Sequence, residues 1–180
     1  MPRLRITGGA RKACPLFRPA TKPYATTTLP TGRKRTVAEG RVVAVCRSDR
    51  KGVPKDDIGT GCFKEGIGLE GDAHAGFAHR QVSLISMEDI VAAKEKLPTL
   101  RPGSFAENLT VEGIDLGASV VGLRLKVGEI LLEITQIGKE CHTKCEIYRT
   151  TGDCIMPRKG IFCRVVEGGR VSVGDRVEWA

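Results

Sequence analysis

Three short stretches of the chain gather residue types that chemistry needs. The first, 68–80, reads GLEGDAHAGFAHR, with glycines at 68, 71 and 76 around Glu70, Asp72, His74, His79 and Arg80. Glycine lets backbone approach a ligand closely, and a guanidinium matches phosphate or carboxylate with two parallel hydrogen bonds. A P-loop is excluded because Gly-Lys-Ser/Thr is missing. The same residues can also form a polar turn with internally satisfied histidines. The second stretch, 101–113, reads RPGSFAENLTVEG and leads through Ser104 and Phe105 to Glu107, Asn108 and Thr110 at the mouth of an expected strand. A carboxylate beside an amide and a hydroxyl can hold a polar heterocycle, or can cap its own loop.

The third stretch, 136–163, reads QIGKECHTKCEIYRTTGDCIMPRKGIFC, and in it Lys139, His142, Lys144 and Arg149 crowd Cys141 and Cys145. Nearby positive charge stabilises thiolate, the form that attacks electrophiles and ligates soft metals, while Lys and Arg can meet a phosphate. The spacing Cys-x3-Cys-x8-Cys-x8-Cys, running on through Cys154 and Cys163, also offers four thiolates to a structural zinc. Zinc ligands more often come as short pairs on both sides, and here only one pair is short. Cys163, alternating with Phe162 and Val165, reads equally as a small buried hydrophobe, as does Cys46.

The pattern between these stretches is mostly β. Residues 41–46 (RVVAVC) predict a first strand, and 47–66, rich in charge, Gly and Pro, a surface connection. Residues 81–86 predict a strand that ends on Ser86 as the cap of a helix over 87–97, with Glu88 and Asp89 in its first turn and Pro98 closing it. Further strands are expected over 108–111, 123–127, 129–137, 161–167 and 170–179. Two of these regions echo each other, since both 125–134 and 171–179 carry Val-Gly-acid where glycine can turn the chain into a β-rich segment. Many short strands with Gly turns point to a closed or nearly closed β-barrel, which also removes exposed strand edges.

The chain of 180 residues suits one buried core, and no stretch approaches the roughly 20 apolar residues that cross a bilayer. The net charge of +8 is carried by residues 1–36, which hold nine Lys/Arg and no Asp or Glu, leaving 20 basic and 21 acidic residues beyond. With that balance, and aromatics at 4%, no specific nucleic-acid partner is expected. Residues 1–36 read as a disordered basic tail. An organelle transit peptide is the alternative, although serine is absent and the prolines break a long amphipathic helix. Seven cysteines, an odd number without a hydrophobic signal segment, predict reduced thiols in a cytoplasmic setting.

Taken in order, GLEGDAHAG with HRQVSLIS, FAENLTVEG, VGEILLEITQIGKECHTKC, and GIFCRVVEGG with VGDRVEW resemble the MOSC family, named for the C-terminal domain of molybdenum cofactor sulfurases. The likeness covers roughly residues 40–179 and is strongest to small stand-alone bacterial members. It implies a mainly β fold with a few helices, a closed β-barrel related to the pyruvate-kinase barrel, filling residues 37–180. It also implies a cleft for the molybdenum cofactor, molybdopterin, lined by Asp72, His74, His79, Arg80, Phe105, Glu107, Asn108, Lys139, His142, Lys144 and Arg149. A functional cysteine would carry sulfur as a persulfide or ligate molybdenum. The resemblance favours Cys141 for that role, with Cys145 the other candidate because this chain has an extra residue between the two. No Lys-centred pyridoxal phosphate site is visible, so sulfur would come from a partner: a cofactor-biosynthesis or sulfur-donor protein, with a client molybdoenzyme as the other partner class. Reduction of N-hydroxylated compounds and a zinc-stabilised interaction module are the competing functions, and whether the chain is catalytic by itself stays open.

Overall fold

A computed structural model of the chain describes residues 39–140, 148–149 and 152–180. Strand β1 (Gly40–Arg47) forms from the β-branched run GRVVAVCR. The 47–66 stretch is more than a connection: it contains β2 (Asp56–Asp57), paired with the end of β1, and β3 (Thr60–Lys64). In β3, Gly61 and Phe63 are buried between more exposed neighbours, an alternation that the surrounding charge obscures in the sequence. β4 (Gly68–Leu69) and β10 (Gly169–Ser172) flank β3 in a three-stranded sheet.

β5 (Val82–Ser86) runs straight into helix α1 (Met87–Lys94), where the Ser86 hydroxyl accepts the Asp89 N–H at 3.0 Å. The helix stops short of residue 97. Of its residues only Ile90 is fully buried, and Leu97 reaches the core from a tight turn in which the Lys96 N–H bonds the Ala93 carbonyl at 3.1 Å. A crossover through α1 brings β6 (Leu109–Glu112) parallel to β5, the one parallel pair of the barrel. Then follow a 3-10 turn (Leu116–Ala118), β7 (Arg124–Val127), β8 (Ile130–Ile137), helix α2 (Met156–Lys159), β9 (Ile161–Glu167) and β11 (Arg176–Trp179).

The strands run β11-β7-β8-β9-β5-β6-β1, and β1 pairs back onto β11 with Gly40 opposite Val177. The result is the expected fold class, a closed barrel of seven strands. The expected strand over 170–179 is divided between the two sheets, because the chain turns at Gly174 (φ 91°). The two Val-Gly-acid turns meet in space. A Cβ on Gly128 would lie 2.5 Å from Asp175 Oδ2, and the Gly128 N–H donates to the Arg176 carbonyl at 3.0 Å.

The core has two parts. Val42, Leu84, Leu109, Leu125, Leu132, Cys163 and their neighbours fill the barrel. Ile85 and Phe162, on the opposite face of β5 and β9, join Ile90, Leu100, Phe105 and Met156 in a second cluster outside the wall, under α1 and α2.

Candidate functional site

Pairing register brings one row of side chains across the outside of the barrel. Phe162 of β9 lies opposite Gln136 of β8 on one side and Ser83 of β5 on the other. The Ser83 N–H and hydroxyl donate to Asn108 Oδ1 at 3.2 and 3.1 Å, and Asn108 Nδ2 donates to the Cys46 carbonyl of β1 at 3.3 Å. Two of the chemistry-bearing stretches, 101–113 and 136–163, therefore meet in this row.

Arg80 lies over one end of it. Its guanidinium is 4.7 Å from the centre of the Phe77 ring and 5.9 Å from that of Phe162, so two aromatic faces hold it in place. The Arg80 Nε is buried and has no hydrogen-bond partner among the described residues. A buried donor left unmade costs free energy, and an acceptor from a ligand would remove that cost. His79 Nε2 lies 2.9 Å from Gln136 Oε1, and Gln136 Nε2 donates to the Gly138 carbonyl at 2.7 Å. The Thr135 hydroxyl joins the carbonyls of His79 and Phe162. Gly138 has φ 65°, and a Cβ there would come 2.2 Å from the Pro157 carbonyl oxygen. The chain thus leaves β8 through a point that only glycine fits, and half-buried Lys139 is the next residue.

Under the other end lies a buried ionic cluster. Glu107 has no exposed surface; its oxygens accept the Gly103 N–H at 2.6 Å, the Thr110 hydroxyl at 2.9 Å and the Phe105 N–H at 3.1 Å. Burial pushes its carboxyl above the usual range, and these donors oppose the rise. Lys55, which no sequence pattern singled out, is 1% exposed with its ammonium 2.8 Å from the Asp72 carboxylate. Burial lowers the Lys55 pKa, against the pull of Asp72. Burial alone would raise Asp72, but the neighbouring His74 and Lys55 hold it well below the usual carboxylate range. Asp72 also accepts the backbone N–H groups of Ser48 at 3.2 Å and His74 at 3.0 Å. The His74 Nδ1 sits 3.5 Å from the Asp72 carboxylate. The Lys55 N–H donates to the Gly103 carbonyl at 2.8 Å, so Lys55 ties the first stretch to the second.

Compared with known families, residues 71–178 match the MOSC domain. The chain belongs to the MOSC domain family. That family is associated with molybdenum cofactor binding and sulfur chemistry. Among solved structures, the MOSC chain resembles the YuaD protein of Bacillus subtilis (TM-score 0.67, 21% identity, 78% of this chain and 95% of that one). It also resembles YiiM of Geobacillus stearothermophilus (0.61, 15%, 78% and 75%) and YiiM of Escherichia coli (0.55, 19%, 78% and 69%). At these identities the likeness concerns the fold. No curated protein matches the sequence at a significant level.

The candidate residues of this MOSC domain divide by what they touch. His79 and Arg80 meet Gln136 and Phe162 of the row, Lys139 is half-buried just beyond β8, and Arg149 is exposed. Asp72, Glu107 and Asn108 direct their polar groups to the chain itself, and Phe105 is core. Cys141, His142, Lys144 and Cys145 lie outside the described residues. The zinc arrangement is corrected. That reading needs Cys154 and Cys163 on one ion, and the barrel wall separates them: Cys163 lies in the core inside the barrel and Cys154 in the cluster outside the wall. Burial also raises the Cys163 thiol, which keeps it protonated, as burial first and Glu107 second do for Cys46. Cys62 departs from the expectation of reduced thiols, being disulfide-bonded. Among the described residues, no helix is long and apolar enough to cross a membrane.

Proposed function

We propose that this MOSC domain binds the molybdenum cofactor at the outer-face row, with its phosphate on Arg80, and that Cys141 or Cys145 carries sulfur for it or ligates its metal. The observation behind this reading is the Arg80 guanidinium, fixed between two rings with a buried Nε that has no acceptor among the described residues. A phosphate supplies that acceptor, so the donor set fits this part of the cofactor. Lys139 and Arg149 add charge for the same phosphate, while His79 is oriented by Gln136. Glu107, Asn108 and Asp72 act as positioning residues, because their bonds shape the two loops around the site. When bound, the cofactor supplies a molybdenum centre with its sulfur ligands.

Sulfur loading needs a donor protein. The thiolate of Cys141 attacks the outer sulfur of the partner's persulfide; a new S–S bond forms, the old one breaks, and the partner leaves as a thiolate. A client molybdoenzyme would be the recipient. The test is elemental and mass analysis of protein purified anaerobically from a cofactor-producing host, beside Cys141→Ser, Cys145→Ser and Arg80→Gln. Molybdenum near one per chain that falls in Arg80→Gln, or one added sulfur lost in a cysteine variant, is the expected result. Full molybdenum and sulfur in all three variants would overturn the assignment.

A further inference from the structure

His79 and Arg80 are consecutive, yet their side chains come to rest on two different strands. The guanidinium lies 5.9 Å from the ring centre of Phe162 on β9, and the imidazole Nε2 lies 2.9 Å from Gln136 Oε1 on β8. Phe162 and Gln136 are register partners. Side chains so paired start about 5 Å apart, close enough for one small anion to meet both groups resting on them. His79 is exposed and Arg80 half-buried, so a ligand reaches the pair from solvent.

Hydrogen-bond chemistry decides which ring nitrogen of His79 titrates. One end of the Gln136 amide meets the Gly138 carbonyl at 2.7 Å. A carbonyl only accepts, so that end is the NH2 and the end at His79 is the oxygen. That oxygen in turn requires a proton on Nε2. Nδ1 is therefore the nitrogen that gains or loses a proton, and no hydrogen bond engages it among the described residues. The arrangement is held from both sides. The Gly138 N–H donates to the Gly160 carbonyl at 2.7 Å, and the Thr135 hydroxyl holds the His79 carbonyl. On the outer face of β8 and β9, Glu133 and Arg164 bind each other at 2.8 Å. Half-buried Lys139 follows β8, and Arg80 is the charge next to His79 in its own stretch.

We propose that His79 and Arg80 together bind a terminal phosphate, a monoester and not a diester, and that His79 takes up one proton as it binds. This rests on the cofactor reading above and specifies the charge of its phosphate. A phosphate monoester, with a second pKa of about 6, carries close to two negative charges at neutral pH, and Arg80 answers only one. Imidazole is the side chain that changes charge between pH 5 and 8. The second negative charge draws a proton from water onto Nδ1. The ring becomes imidazolium, Nδ1–H donates to a phosphate oxygen, and Nε2–H keeps its bond to Gln136. Gln136 accepts in both states and so acts as a positioning residue. A diester carries one charge and leaves His79 neutral.

The experiment is phosphorus NMR titration of methyl phosphate and dimethyl phosphate with the full chain and its His79→Ala, Arg80→Gln and Gln136→Glu variants, at pH 7 and pH 8. Methyl phosphate should bind about tenfold more tightly than dimethyl phosphate at pH 7, the factor expected of one added charge-assisted hydrogen bond. Uptake of one proton makes its affinity fall up to about tenfold from pH 7 to pH 8, while that of the diester holds. His79→Ala should erase the preference and the pH dependence without weakening the diester, and Arg80→Gln should weaken both esters. In Gln136→Glu a carboxylate accepts the same Nε2–H and favours imidazolium in the free chain, so the fall moves to higher pH. A purely structural Gln136 would leave the pH profile in place. No binding of methyl phosphate, equal affinity for the two esters, or a preference that survives His79→Ala would overturn the proposal. Molybdenum content of the same variants separates the two readings. Loss of the monoester preference with molybdenum still lowered by Arg80→Gln removes only the role of His79. Proton-coupled monoester binding in a chain that never loads molybdenum keeps the phosphate subsite and removes the cofactor.

Discussion

At the scale of single residues, the buried Lys55–Asp72 pair separates stability from ligand binding. Asp72→Asn leaves the Lys55 ammonium buried without its counter-charge, and the expected loss in urea unfolding is about 3–5 kcal/mol. Replacing both, Lys55→Met with Asp72→Leu, should recover most of that loss, because no uncompensated charge remains. Glu107 makes a pH prediction. Its folded carboxyl lies above its unfolded value of about 4.3, so the folded state holds the proton more tightly. Its contribution is therefore greatest below the unfolded value and declines as pH rises through the window up to the folded value. Asp72 has the opposite sign and acts lower: its contribution is present above its unfolded value of about 3.9 and is lost as pH falls. Denaturant midpoints measured from pH 4 to pH 8 should thus flatten in Glu107→Gln relative to the parent, and parallel curves would refute the assignment. None of this was legible in the sequence for Lys55, whose neighbours Pro54 and Asp56 look like any surface loop. Arg80 and His79 were legible, because two of three histidines and an arginine fall within one glycine-rich stretch.

Elements show a different boundary. Ser86 as a cap and the strand before it were readable, since a β-branched run ending on Ser with acids in the next turn has one local solution. The length of α1 was not, because Leu97 reaches the core through a turn instead of a helix face. β3 was hidden among charges that face solvent, and the division between β10 and β11 depended on which sheet each half joins. The loop that presents Glu107 rests on Gly103, at φ 87° with a Cβ position 2.0 Å from the Lys55 carbonyl oxygen. Gly76 has φ 75° and nothing within 4 Å. Gly76→Ala should therefore cost only the left-handed backbone term of about 1–2 kcal/mol, and Gly103→Ala clearly more. Paired melting curves of the two variants measure the difference, and equal losses would show that the close approach is relieved by movement of Lys55.

For the whole molecule, closure is the property on which the site depends. β11 joins β7 to β1, and β10 joins β3, so a chain ended after Glu167 loses both and exposes the edges of β1, β3 and β7. Such a chain should lose its cooperative thermal transition and associate in gel filtration, while a monomer with a sharp transition would mean the barrel survives open. The sequence by itself determined the fold class, most strands, the family resemblance and the three stretches that carry chemistry, because these follow from local periodicity, turn residues and short motifs. The tertiary structure alone decided which of those residues meet. The row Gln136–Phe162–Ser83–Asn108 comes from strand register, the opposite faces of Cys154 and Cys163 from the barrel wall, and the burial of Lys55 from two loops closing over it. Each is a contact between residues far apart in the chain, and local pattern carries no information about such pairings.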